Sequence, residues 1–331
     1  MPSLKEIKTR IASVRNTLKI TSAMKMVAAA KLHHAQQVTV GMQPYEEQLH
    51  AILTHLLASQ QVMETFDSAL VADREGFTTQ TLPVKGDAKR VAIVAFSSNS
   101  ALCGGFNSNA IRQLTTIVKN LREHGFQTAD LDVYTVGRKV TDAARRMGLN
   151  PIAEIESSAS DAPSSVLALQ TLAEHPNYDD ASALAQQLIQ SFVDDRVDQI
   201  ILVYNHYAST ASQPSVFENY LPLVLPRPLQ KNSSLTPPAA NSSVPDTDSF
   251  CILEPSGAEV LQALLPKVLL LKIYSVLLDT NAAEHAARTV AMQIASDNAQ
   301  KLLDELTLQY NKSRQQKITA EILDLVGGLQ R

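Results

Sequence analysis

The sequence predicts an α/β fold in which two very long terminal helices pair as an antiparallel coiled coil around an inserted, Rossmann-like α/β domain. Three observations carry that expectation. Gly and Pro are both missing from Ser3 to Val40, and from Ala258 to Val326 there is no Gly and one Pro, Pro266. Apolar residues recur at helical spacing through both stretches. Between them, short apolar runs alternate with helix-length amphipathic segments, the pattern of a parallel sheet covered by helices.

The first helix is expected within residues 1–60. Leu4, Ile7, Ile11, Val14, Leu18 and Thr21 form a heptad seam, which passes into Met24, Val27, Ala28, Leu32 and Ala35. Gly41 and Pro44 are expected to kink or loosen the helix before the pattern resumes at Leu49, Ile52, Leu53, Leu56 and Leu57. Its length would reach roughly 80 Å. The α/β domain is placed at 88–225. Its strands are read at Val91–Ser97, Leu131–Val136, Pro151–Ile155 and Gln199–Tyr204, and its helices at Ser108–Glu123, Arg138–Met147 and Asp179–Val193. Val216–Leu225 and Phe250–Leu253 read as antiparallel additions at the sheet edge. Five prolines among Ser, Asn and Thr make residues 226–249 an expected mobile loop.

The last helix is expected over 256–331, about 100 Å long, with Pro266 in its first turn. Val290, Ile294, Ala295, Leu302, Leu303 and Leu306 form one face, and Ile318, Ile322, Leu325 and Leu329 continue it. Two such helices bury their stripes by pairing antiparallel, which would bring the termini together at one tip.

Composition narrows the function. The 331 residues are 45% apolar and 19% charged, with net charge -4 and pI near 6.1, so nothing overall calls for nucleic acid or an anionic membrane. No run approaches the ~18–20 uninterrupted apolar residues of a membrane span; the most apolar, Val268–Leu278, is broken by Lys272. The basic start (Lys5, Lys8, Arg10, Arg15, Lys19, Lys25 and Lys31 against Glu6) resembles a transit peptide only superficially, because its pattern continues as helix. With no signal peptide read, the product is expected to stay in the compartment that makes it. Cys103 and Cys251 read as two lone thiols, with a disulfide between them as the alternative.

No catalytic, cofactor or metal site is expected. The turn LCGGFN, Leu102–Asn107, lacks the Lys of a phosphate loop and the third Gly of a dinucleotide fingerprint, and reads as a tight strand-to-helix turn. In the first helix the basic residues are interleaved with the heptads and do not precede them, unlike a DNA-binding zipper. His33 and His34 are adjacent, which rules out an i, i+4 ligand pair. Asp194 and Asp195 read as a solvated helix end.

Three segments carry a resemblance: Ile7–Leu32 (IKTRIASVRNTLKITSAMKMVAAAKL), LCGGFN after the first strand, and Glu284–Gly328 (EHAARTVAMQIASDNAQKLLDELTLQYNKSRQQKITAEILDLVGG). In that order, and at those distances from the ends, they resemble the gamma subunit of F-type ATP synthases. The resemblance implies a central-stalk rotor without a catalytic group of its own. Its rod would stand in the cavity of the alpha–beta hexamer, and its α/β foot would rest on the membrane c ring beside the epsilon subunit. Proton flow would turn the foot, at the cytoplasmic face of a bacterial inner membrane and attached only through the complex.

The same resemblance assigns residues. Met24 matches a methionine where the shaft passes the lower edge of the beta subunits, and Arg288 a position facing it across the coil. Arg314 and Gln315 match a pair that hydrogen-bonds beta loops, with Thr319 and Glu321 on the same helix. Tyr204, Asn205, His206 and Tyr207 fall where the family contacts the c ring and epsilon. Departures are Ser97–Ala101 where an acidic–basic pair is common, Thr289 for a common Met, and a longer Pro-rich loop. Two rival readings remain: a small-molecule or nucleotide-binding α/β protein with coiled-coil arms, and a self-dimerising coiled-coil scaffold. The first requires a charged or Gly-rich cluster at the strand ends, the second a sustained seam.

Overall fold

Each long helix starts at a Ser-x-x-Glu box. Ser3 Oγ accepts the Glu6 N–H at 3.2 Å and Ser256 Oγ accepts the Glu259 N–H at 3.3 Å, which satisfies donors that a helix start leaves orphaned. The structure, a computed structural model, describes residues 3–58, 70–72, 82–83, 88–157, 165–224, 254 and 256–328. The expected loop at 226–249, the expected strand Phe250–Leu253, Cys251 and Leu329 lie outside them.

In chain order the elements are α1 (Leu4–Ala58), β1 (Val71–Ala72), β2 (Val91–Phe96), α2 (Phe106–Glu123), β3 (Leu131–Val136) and α3 (Arg138–Arg146). They continue with β4 (Pro151–Ile152), β5 (Glu154–Ser157), β6 (Ser165–Ala168), α4 (Leu169–Glu174) and α5 (Tyr178–Val193). Then follow β7 (Gln199–Asn205), β8 (Ser215–Leu221), β9 (Leu223–Val224) and α6 (Gly257–Gly328). The main sheet has the order β4-β3-β2-β7-β8, parallel throughout except for β8 at the edge, which pairs antiparallel with β7.

Three local expectations change. α1 runs unbroken through Gly41 and Pro44. The proline removes one ladder donor, but Leu49, Leu53 and Leu56 beyond it are buried and hold the helix to its course. Pro266 is not in a first turn, because α6 starts at Gly257. The strand read at Pro151–Ile155 divides: β4 joins the sheet, while β5 turns away into an antiparallel ribbon with β6. Between them the Ala153 carbonyl accepts the Leu169 N–H at 2.9 Å, and so serves α4.

Strand alternation splits the core in two. Val91, Ile93 and Ala95 face Leu114, Ile117 and Leu121 of α2 and Val140 and Ala144 of α3. Ala92, Val94 and Phe96 face Leu172 of α4, Leu184 and Leu188 of α5, and Leu269, Ile273, Val276 and Leu277 of α6. The terminal helix is therefore also a core helix. Its 18-residue window of mean hydropathy 1.7 is long and apolar enough to cross a bilayer, contrary to the reading of the runs alone. Here the i, i+4 row Leu261, Leu265, Leu269, Ile273 and Leu277 is buried against α1 and the sheet. Each such side chain contributes about 1.5–3 kcal/mol on burial.

α1 and α6 pair antiparallel, as three polar rungs document. Ser296 Oγ donates to Thr21 Oγ1 at 2.8 Å, Lys25 Nζ to Gln293 Oε1 at 2.8 Å, and Ser275 Oγ to Glu46 Oε2 at 3.0 Å. Between the last two rungs α6 carries two alanine pairs. Ala282 and Ala286 pack on Leu32 and Ala35 of α1, while Ala283 and Ala287 pack on Cys103 and Phe106 beyond β2. Small side chains let α6 approach both neighbours at once. Ala283→Leu should therefore overpack the contact and cost about 1–3 kcal/mol of unfolding free energy. Urea denaturation of the purified chain checks this, and an unchanged midpoint would show that the contact has slack.

Candidate functional site

β2 and β7 are the adjacent central strands from which the chain runs outward in opposite directions, β3 and β4 on one side and β8 on the other. In an open α/β sheet a ligand crevice lies beyond the carboxyl ends of such a pair. Here those ends carry Ser97–Asn107 and Asn205–Tyr207. The LCGGFN turn reverses through left-handed Leu102 and Gly104, at φ 68° and 58°. Asn107 closes it from inside: Oδ1 accepts the Ser98 N–H at 3.0 Å and Nδ2 donates to Cys103 Sγ at 3.1 Å. α6 packs on Cys103 and Phe106 of the turn through Ala283 and Ala287, while Leu102, Gly104 and Gly105 stay exposed. Part of the place where an α/β-binding protein would hold its ligand is thus taken by the chain's own helix.

Beside this turn, α1, α6, the end of α4 and Asn99 and Ser100 of the loop after β2 line an open groove of about 450 Å³ that includes Met24, Lys31, Glu174, His285 and Arg288. Arg288 and Met24 thus share one groove. The Arg288 guanidinium donates to Ala101 O at 2.7 Å, Ser100 Oγ at 2.8 Å and Glu284 Oε1 at 2.5 Å, with 11% of its side chain exposed. Burial raises the Glu284 carboxyl, and the hydrogen bond and charge of Arg288 pull it back. His285 is 8% exposed, and burial, then the charges of Lys31 and Arg288, lower its imidazole to about 4. Its Nδ1 has no hydrogen-bond partner among the described residues.

The segment Tyr204–Tyr207 divides by depth. Tyr204 lies in the core under α6, and burial raises its hydroxyl above the usual tyrosine range. Asn205 is fully buried, with Nδ2 donating to Phe106 O at 2.9 Å and Oδ1 accepting from Ser215 Oγ. Neither is presented to a partner, because both continue β7 into the interior, and the expected foot contact is corrected at these two positions. His206 is exposed, and Nδ1 donates to Asp279 Oδ2 at 2.7 Å. Half-buried Tyr207 donates its N–H to Asp279 Oδ1 at 2.9 Å and accepts Gln36 Nε2 at its hydroxyl at 2.8 Å. Asp279 and Gln36 were not singled out in the sequence; lone polar residues inside long helices carry no local signal.

At the other end, α6 overshoots α1. Carrying the Thr21–Ser296 register back to Leu4 places the start of α1 roughly level with Ser313. Arg314, Gln315, Thr319 and Glu321 follow, all exposed. Thr319 Oγ1 donates to the Gln315 carbonyl at 2.9 Å, and Lys317 pairs loosely with Glu321 at 3.9 Å. The helix continues to Gly328, with Ile318, Ile322 and Leu323 exposed by 48%, 55% and 64%. The described helix ends are thus not level: that of α6 lies roughly 20 Å beyond the start of α1. The seam at Ile318 and Ile322 cannot be covered by α1, which has ended.

A family model described as ATP synthase matches residues 3–330. The ATP synthase gamma chain of Phocaeicola vulgatus is 45% identical over 328 residues, 99% of each chain, and that of Bacteroides fragilis is 44% identical over the same share. Among solved structures, a chain of the Euglena gracilis mitochondrial ATP synthase (OSCP/F1/c-ring, rotational state 3) has TM-score 0.56 at 17% identity, covering 99% of this chain and 93% of that one. A chain of the Tetrahymena thermophila central stalk/c-ring structure has TM-score 0.52 at 20% identity, covering 84% and 99%. At those identities the likeness is one of fold.

His285 makes the groove's contribution to stability measurable. Its folded-state pKa lies below the unfolded value of about 6.5, so the stabilisation is complete above that pH and is lost as pH falls towards 4. Raised Glu284 acts oppositely, its contribution fading as pH rises. His285→Gln should remove only the first component. Between pH 6.5 and 4 the wild type should lose on the order of 2 kcal/mol more than the variant. Parallel pH profiles from denaturant titrations would contradict this.

Proposed function

Because the chain belongs to the ATP synthase gamma-chain family, the central-stalk subunit of F-type ATP synthase, we propose that it works as a torque-transmitting shaft with no active site of its own. The observation that carries this reading is the overshoot of α6. A helix end with exposed Ile318, Ile322 and Leu323 beside Arg314 and Gln315 has an apolar stripe that its own chain leaves uncovered. A surrounding apolar collar would cover it from all sides, and the cavity of an alpha–beta hexamer is such a collar. The α/β domain is the foot, turned by a membrane c ring with epsilon alongside at the cytoplasmic face of a bacterial inner membrane. His206 is the exposed member of its strand end, and the chain meets the membrane only through the complex.

Rotation then works by population control. Each beta conformation is favoured by the face of the shaft that it meets, so an asymmetric helix presents different contacts to three chemically equal partners. Met24 and Arg288 act where coil and foot join, and Arg314, Gln315, Thr319 and Glu321 at the tip. The α/β-binding alternative is disfavoured because α6 packs on the switch-point turn and its Arg288 engages the loop after β2. Self-dimerisation is disfavoured because α1 already pairs within its own chain.

Mixing the chain with its alpha and beta partners tests the reading. The chain alone should show no ATPase, and a 1:3:3 complex should form with ATPase activity; a stable homodimer indifferent to alpha and beta would sink it. Replacing both Arg314 and Gln315 with Leu should keep assembly and lower turnover severalfold, as expected for losing hydrogen bonds worth about 0.5–3 kcal/mol each. Wild-type turnover in the double variant would remove this pair from the mechanism.

A further inference from the structure

The apolar contact between α6 and the sheet has no preferred direction of slip, and apolar packing alone would let a helix roll against its seat. Directional bonds fix the roll, and α6 receives them on opposite faces. On one side Asp279 takes two bonds from the end of β7, from His206 Nδ1 at 2.7 Å and the Tyr207 N–H at 2.9 Å. On the other, Arg288 holds the loop after β2 through Ala101 O and Ser100 Oγ, and Asn281 Nδ2 donates to the Ala173 carbonyl at 3.3 Å. At about 100° per residue, Asp279 and Arg288 stand roughly 180° apart around the helix, while Asn281 and Arg288 share a face. Tyr207 extends the hold to the second helix through Gln36 of α1 at 2.8 Å.

Resting on the shaft reading above, we propose that Asp279, with Tyr207 and Gln36, forms the second jaw of a grip that carries torque from the α/β foot into both helices of the coil. Two holds on opposite sides of one helix make a couple, so rotation of the foot cannot be absorbed by α6 turning in its seat. Asp279 is thus a positioning residue for coupling and touches no reacting group. The strand end His206–Tyr207 serves the joint within the chain as well as its outer surface.

The test uses the whole ATP synthase carrying Asp279→Leu, with Asp279→Asn as the conservative variant that retains one acceptor oxygen. Two ratios are read: ion pumping per ATP hydrolysed in inverted vesicles, and torsional stiffness from the angular fluctuations of a bead fixed to the foot. Asp279→Leu should lower both, on the order of threefold, with hydrolysis retained and Asp279→Asn in between. Wild-type stiffness and pumping ratio in an assembled Asp279→Leu complex overturn the proposal. So does a proportional fall of pumping and hydrolysis, which marks a residue needed only for stability. Should Asp279→Leu not assemble, Gln36→Met, which removes only the bond to the Tyr207 hydroxyl, must lower the pumping ratio by itself; an unchanged ratio there overturns the proposal equally. The wild-type complex is the control for the shaft reading: if it fails to assemble with alpha and beta, that reading falls, whereas a working wild type beside an unaffected variant sinks the grip alone.

Discussion

Everything in this molecule depends on how closely one helix can approach two neighbours at once. Within the six residues 282–287 of α6, two alanine pairs face α1 and the LCGG turn. Larger side chains there would separate the rod from the domain or the two helices of the rod from each other, since packed interiors tolerate little added volume. The close approach also brings Arg288, itself paired with Glu284, within reach of the loop after β2, and leaves His285 desolvated beside them. Packing, hydrogen bonding and local electrostatics at the joint share one cause, the small side chains of α6.

The same approach explains why an open parallel sheet here is a mechanical part. The fold class places its most useful crevice beyond β2 and β7, and in this chain α6 packs against that end of the sheet. Function follows from what fills a site as much as from the fold that makes it. The tight turn, with Asn107 folded back into it, reads as a surface shaped to receive a helix.

The rod was legible because helix length is written in the gaps between Gly and Pro, and the sheet because buried parallel strands are short continuous apolar runs. The Ser3–Glu6 and Ser256–Glu259 spacings mark the starts of both long helices just as plainly. At Tyr204 the expected surface contact fails. It continues a strand that is buried on both faces, so the unbroken apolar run before it already points to the interior. The overshoot could not be read in advance. Both helices carry long stripes, and only the pairing of Thr21 with Ser296 decides which turns of α6 are left without α1. The interruption expected at Pro44 did not occur because tertiary burial beyond it outweighs one missing donor.

One continuous helix spans the distance from the sheet core to the far tip. Between Leu277, wedged under the sheet, and Arg314, in the open, there is no loop in which an error could be absorbed. Chain length in that stretch is therefore a phase setting. Inserting or deleting a single residue would turn every side chain beyond it by about 100° and shift it about 1.5 Å along the axis. The compass bearing of the tip relative to the foot is encoded as a residue count, and evolution can adjust it only in whole steps.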